Sequence, residues 1–126
     1  MEEKKKILVI DDDQAVAELV KLSLEATEKY DVTIETKGSQ GFATTKTFNP
    51  DLILLDIMFP DVQGSEIAVK LKEDPSTRDI PVVFLTGAVS REETSLRGGV
   101  IGGHAFIAKP VSINELIKSV EENIAK

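Results

Sequence analysis

Three consecutive aspartates, Asp11-Asp12-Asp13, follow directly on the apolar run Ile7-Leu8-Val9-Ile10, and a fourth, Asp56, follows directly on Leu52-Ile53-Leu54-Leu55. Two further apolar runs end on Thr86 and on Lys109-Pro110. Carboxylates brought together repel unless a cation neutralises them, and hard oxygen ligands of this kind suit Mg²⁺, which keeps several waters and leaves room for a phosphate oxygen. A carboxylate held rigidly at Asp56 is then a nucleophile for phosphorus, because phosphoryl transfer relies on positioning and charge neutralisation. Lys109 is the candidate cation for the transferring group and Thr86 the candidate hydroxyl donor. Aspartate after a strand also caps the helix that follows, and Asp13 reads as such a cap rather than as a ligand.

Groups so far apart in sequence meet only if the chain brings its apolar runs side by side. The runs Ile7 to Ile10, Val32 to Thr36, Leu52 to Leu55, Val82 to Leu85 and Ala105 to Ala108 are short enough for strands, and three are almost continuously apolar, as when helices cover both faces of a parallel sheet. Segments with helical spacing lie between them, at about 14–29, 39–48, 64–73, 90–98 and 112–125. In the last, Ile113, Leu116, Ile117, Val120 and Ile124 form one apolar stripe, and Ser112 with Glu115 makes a capping box; Ser90 with Glu93 repeats that signal. Gly38, Asn49-Pro50 and Asp74-Pro75 break the chain where a βα repeat needs a break. The reading is an α/β chain, five βα units with a five-stranded parallel sheet between two helical layers. In such open sheets ligands bind beyond the carboxyl ends of the strands, where the acidic residues lie.

At 126 residues the chain has the length of one domain, residues 1–126, with a charged, solvated leader at residues 1–6. Its 41% hydrophobic and 29% charged content fits a water-exposed globular protein, with no run long enough to span a bilayer and no signal peptide, so the expected location is cytoplasmic. No cysteine is present, which removes disulfides, thiolate metal sites and cysteine nucleophiles. A formal charge of -7 argues against direct nucleic-acid binding, which needs clustered Lys and Arg. Gly98, Gly99, Gly102 and Gly103 do not form a phosphate loop, since they precede a strand and no Lys-Ser/Thr follows. They read as a helix end and turn, and His104, the sole histidine, as an exposed turn residue.

Along nearly its whole length the chain resembles the response-regulator receiver domains of two-component signalling, of the chemotaxis-regulator type. Ile7-Leu8-Val9-Ile10-Asp11-Asp12-Asp13 is similar to the family's opening strand and acidic pair, and Pro50-Asp51-Leu52-Ile53-Leu54-Leu55-Asp56-Ile57-Met58-Phe59-Pro60-Asp61-Val62-Gln63-Gly64 to its phosphoacceptor block. Ile80-Pro81-Val82-Val83-Phe84-Leu85-Thr86-Gly87 resembles the strand that ends in a switch hydroxyl, and Phe106-Ile107-Ala108-Lys109-Pro110 the final strand with its Lys-Pro.

The resemblance implies a flavodoxin-like, doubly wound (βα)5 fold with strand order 2-1-3-4-5. It implies Asp56 as phosphoacceptor, a Mg²⁺ (or Mn²⁺) site made by Asp11, Asp12, Asp56 and the Met58 backbone carbonyl, Thr86 and Lys109 on the phosphoryl group, and a cis bond before Pro110. Phosphorylation by a histidine kinase or a histidine phosphotransfer protein would couple Thr86 to Phe106 and switch the surface offered to a downstream protein; no membrane or nucleic-acid partner is implied. Such a protein is not an enzyme beyond catalysing its own phosphorylation and dephosphorylation, and a stand-alone regulator is the favoured form.

Several positions depart from the family pattern. Gln63 stands where Asp or Asn is more common, Phe59 where Met or Leu is, and Phe106 has no hydroxyl for an output contact. Gly87 leaves the approach to Asp56 open. Met58 and Ala88, the positions that tune hydrolysis, cannot orient water by hydrogen bonding, which implies a long-lived phosphorylated state. Ser119 replaces a basic residue of the dimer-forming members. Two other functions fit less well. A phosphorylation-independent pseudo-receiver is disfavoured because all acceptor residues are present. A haloacid-dehalogenase-type phosphatase would use Asp11 as nucleophile, but Ala15 stands where its motif needs Thr or Val and no acidic pair follows Lys109.

Overall fold

The apolar runs become strands, and the alternation within each run decides which face every side chain enters. The computed structural model describes residues 3–57, 59, 60, 62, 64–87, 100, 101 and 104–124. Within them the strands are β1 (Lys5–Ile10), β2 (Tyr30–Glu35), β3 (Leu52–Asp56), β4 (Val82–Thr86), β5 (Val100–Ile101) and β6 (His104–Ala108). The α-helices are α1 (Gln14–Glu25), α2 (Gly41–Phe48), α3 (Gly64–Glu73) and α4 (Ile113–Asn123). The sheet order is β2-β1-β3-β4-β6-β5, parallel throughout except for the antiparallel pair β5 and β6. With the two-residue β5 set aside, the five parallel strands run in the order 2-1-3-4-5.

Alternate residues of β1 and β3 build two cores. Ile7, Val9, Leu52 and Leu54 pack with Ala17, Val20 and Leu24 of α1 and with Leu116 and Val120 of α4. Leu8, Ile10, Ile53 and Leu55 pack on the other face with Ile67 and Leu71 of α3, beside Phe42 and Phe48 of α2. All eight strand residues have no exposed surface. At about 1.5–3 kcal/mol for each such side chain, burial holds these two strands firmly in the sheet.

Local signals set most helix ends. Asp13 caps α1, its Oδ1 accepting from the Val16 N–H at 3.2 Å, and Ser112 Oγ caps α4 by accepting from the Glu115 N–H at 3.5 Å. Asn49 ends α2 in the left-handed conformation at φ 52 before Pro50. After α3, the Thr77 hydroxyl donates to the Leu71 carbonyl at 2.6 Å, and Asp74 Oδ1 accepts from both the N–H and the hydroxyl of Ser76.

Several boundaries differ from the sequence expectation: β2 runs Tyr30–Glu35 instead of Val32 to Thr36, and α4 runs Ile113–Asn123 instead of 112–125. Lys5 and Lys6, expected in a charged leader, belong to β1: the Lys6 N–H donates to Asp51 Oδ2 at 2.7 Å and its ammonium to the Phe48 carbonyl at 3.1 Å. Helix α1 stops at Glu25 instead of 29, because the Thr27 hydroxyl turns back to the Leu24 carbonyl at 2.7 Å and Glu28 takes φ 64. A single 3-10 turn, Gly38–Gln40, precedes α2. His104, expected in a turn, opens β6 opposite Ile101. The helix expected at 90–98 lies outside the described residues, as do Gly98, Gly99, Gly102 and Gly103.

Candidate functional site

Parallel strands end at one edge of the sheet, so the residues that follow them gather there. Ile10 pairs with Leu55, Asp56 with Leu85 and Thr86 with Ala108, which puts Asp11, Asp56, Thr86 and Lys109 in successive positions across four strands. One carboxylate oxygen from each of Asp11, Asp12 and Asp56 falls within 4.8 Å of the others. Asp11 is fully buried, Asp56 is 5% exposed and Asp12 faces solvent.

Lys109 supplies the positive charge. Its ammonium lies 2.8 Å from Asp11 Oδ2 and 3.6 Å from Asp56 Oδ2. Burial works against the charged ammonium, but Asp11 and then Asp56 outweigh it and hold the Lys109 pKa above its ordinary value. The Lys109-Pro110 peptide is cis. Asp11 Oδ1 accepts from the Asp13 N–H at 2.9 Å. Asp11 Oδ2 has the ammonium in ionic contact but, among the described residues, no hydrogen bond of good geometry. Three carboxylates against one ammonium leave two negative charges in a partly buried place, a donor set of hard oxygens that fits a divalent cation.

The start of α3 lies close against the end of β3. The Gly64 N–H donates to the Ile57 carbonyl at 2.6 Å, and a Cβ on Gly64 would collide with the Asp56 carbonyl oxygen. A glycine eight residues past the acidic strand end is the only sequence signal for this contact. At Gly87 no described atom comes within 4 Å of where a Cβ would stand, in keeping with an open approach. Phe106 is half-buried and stacks on Phe84 with ring centroids 5.2 Å apart and planes at 28°. Met58, Gln63 and Ala88 lie outside the described residues, as does the side chain of Thr86.

The family model of the response regulator receiver domain matches residues 7–121. The chain belongs to this family. Its relatives include the DNA-binding dual master transcriptional regulator RpaA of Synechocystis, 37% identical over 115 residues that make up 91% of this chain and 47% of RpaA. The phosphate regulon transcriptional regulatory protein PhoB of Pseudomonas aeruginosa is 37% identical over 90% of this chain and 48% of PhoB. This receiver domain thus spans about half the length of those two relatives. Among solved structures, a CheY-like receiver domain protein from Methanospirillum hungatei is 32% identical with a TM-score of 0.78, covering 95% of this chain and 93% of that one. Chemotaxis protein CheY4 of Vibrio cholerae, at 22% identity and a TM-score of 0.81 over 97% of this chain and all of its own, shares the fold. No helix among the described residues of the receiver domain is long and apolar enough to cross a membrane.

Proposed function

We propose that this receiver domain accepts a phosphoryl group on Asp56 from the phosphohistidine of a histidine kinase or a histidine phosphotransfer protein, and that the phosphorylated form binds a downstream protein. The observation that carries the reading is the meeting of the Asp11, Asp12 and Asp56 carboxylates within 4.8 Å with the Lys109 ammonium against two of them. Asp11, Asp12 and Asp56, with the Met58 carbonyl, would hold Mg²⁺ or Mn²⁺. When bound, that ion supplies neutralisation of charge on the transferring group.

The chain's own residues account for the rest. An Asp56 carboxylate oxygen attacks phosphorus, the phosphorus–nitrogen bond breaks, and the electron pair stays on the donor imidazole, which takes up a proton. Lys109, already 3.6 Å from Asp56, pairs with the phosphoryl oxygens, and the Thr86 hydroxyl donates to one of them. The ring of Phe106 then adjusts to the movement of Thr86, giving a two-state element biased by one dianionic group. The domain acts in the cytoplasm and is no enzyme beyond its own phosphorylation and dephosphorylation.

Incubation with acetyl phosphate and Mg²⁺, followed by peptide mass spectrometry, tests the reading. One phosphoryl group on Asp56, absent from Asp56→Asn and after removal of the metal, is expected. A label on Asp11 would point to the phosphatase chemistry, and no label together with unchanged amide spectra to a phosphorylation-independent docking module.

A further inference from the structure

The acceptor loop does not touch the site alone; it also rests on the turn before α2. Gly38 is buried there, and a Cβ on it would stand 2.7 Å from Val62 Cγ1, 2.8 Å from Phe59 Cγ and 3.0 Å from Phe59 Cδ1. Real Cβ atoms do not approach carbon so closely, and Phe59 Cγ is the root of a ring, not the free end of a flexible chain. Both loop side chains are half-buried and pack into the core beside α2 and α3. At its two ends the loop is fixed by β3, through Asp56, and by the bond from the Gly64 N–H to the Ile57 carbonyl.

From this packing we propose that Gly38 is a positioning residue: its missing side chain lets Phe59 and Val62 settle against the turn before α2 and so sets the course of the chain where it leaves Asp56. The inference rests on the reading of Asp56 as phosphoacceptor. A side chain at 38 pushes Phe59 and Val62 outward. Since Asp56 is fixed in β3 and Gly64 is bonded to the Ile57 carbonyl, the displacement is passed back to the end of β3, where Asp56 meets Asp11 and Asp12. Misplacement on the order of 1 Å slows a positioned reaction strongly, up to about a hundredfold. The β2–α2 turn thereby becomes a determinant of metal affinity and phosphorylation rate, although Asp11, Asp12 and Asp56 all lie outside it.

A double-mutant cycle on the full chain separates positioning from stability. Mg²⁺ affinity is read from amide shifts, phosphorylation by acetyl phosphate from mass spectrometry, and folding from thermal melts. Gly38→Ala is expected to weaken Mg²⁺ binding and slow phosphorylation by about tenfold. In a background trimmed by Phe59→Ala and Val62→Ala, the same change should cost less than about twofold relative to that background. Equal Mg²⁺ affinity and rate in Gly38→Ala and the parent would overturn the proposal, as would an undiminished loss in the trimmed background. If Gly38→Ala alone does not fold, Phe59→Trp enlarges the same contact from the loop side and decides in its place: slower phosphorylation with weaker Mg²⁺ binding supports the proposal, and parent-like values sink it. Absence of phosphorylation at Asp56 in the parent chain would instead remove the reading on which the proposal stands.

Discussion

The Lys109 ammonium is nearer to Asp11 than to Asp56, at 2.8 Å against 3.6 Å. The lysine therefore sits on the side of the proposed metal site and answers part of the charge that a divalent cation would need.

Lysine and metal accordingly compete for Asp11. Lys109→Met keeps the aliphatic stem and removes the charge, so Mg²⁺ should bind more tightly, by about three- to tenfold for a partly screened charge at this range. Phosphorylation should nevertheless slow by about tenfold or more, because the cation that faces the phosphoryl oxygens is gone. Titration calorimetry and acetyl phosphate kinetics on one preparation check both; a variant that binds Mg²⁺ no better than the parent would show that Lys109 leaves Asp11 without cost.

Gly64 meets the Asp56 backbone, not a side chain that can turn away. Gly64→Ala should cost about 1–3 kcal/mol in urea unfolding, as overpacking against fixed atoms does. A cost near zero would mean that α3 is free to shift.

Asp74 offers a pH test away from the site. Hydrogen bonds from the Ser76 hydroxyl and N–H, then from Lys46, lower its pKa from 3.8 to about 2. A carboxylate lowered in the folded state stabilises it above the unfolded pKa, near 3.8, and loses that contribution as pH falls through about 2. Ser76→Ala removes the first-named bond, so the Asp74 titration followed by carbon NMR should move up towards its ordinary range. The acid loss of stability that Asp74 contributes below about pH 3.8 should then be smaller and end at a higher pH. An unmoved titration would place the main cause elsewhere.

The side chains of Met58 and Ala88 offer water no hydrogen bond. Introducing Met58→Asn together with Ala88→Glu should shorten the lifetime of phosphorylated Asp56 by about tenfold or more, on the scale of general base and orientation effects. Decay curves of phosphorylated protein measure this, and identical decay would end the explanation from these two positions.

The sheet was legible in the sequence because burial on both faces leaves a mark at every position of Ile7 to Ile10 and Leu52 to Leu55. Caps at Asp13 and Ser112 were legible because their chemistry is local. What escaped depends on distant partners. Nothing near Lys6 announces Asp51, 45 residues away, which draws it into β1. Glu28 at positive φ has no glycine or asparagine to betray it, so α1 was read too long. The two residues of β5 are too short for any periodic signal. At the site, residue types and strand-end positions sufficed to select Asp11, Asp12, Asp56 and Lys109, whereas the choice of Asp11 by Lys109 and the packing of Gly38 and Gly64 depend on distances that composition does not encode.

Asp11 has no exposed surface, yet it carries a charge that one lysine only partly answers. Such a group makes the metal-free protein less stable than its two cores alone would allow. The deficit doubles as a gauge: the cation should raise the melting temperature in proportion to the logarithm of its concentration. On the proposed metal reading, thermal resistance would follow the concentration of the divalent cation, and Asp11→Asn should yield a hardier protein whose melting no longer responds to it.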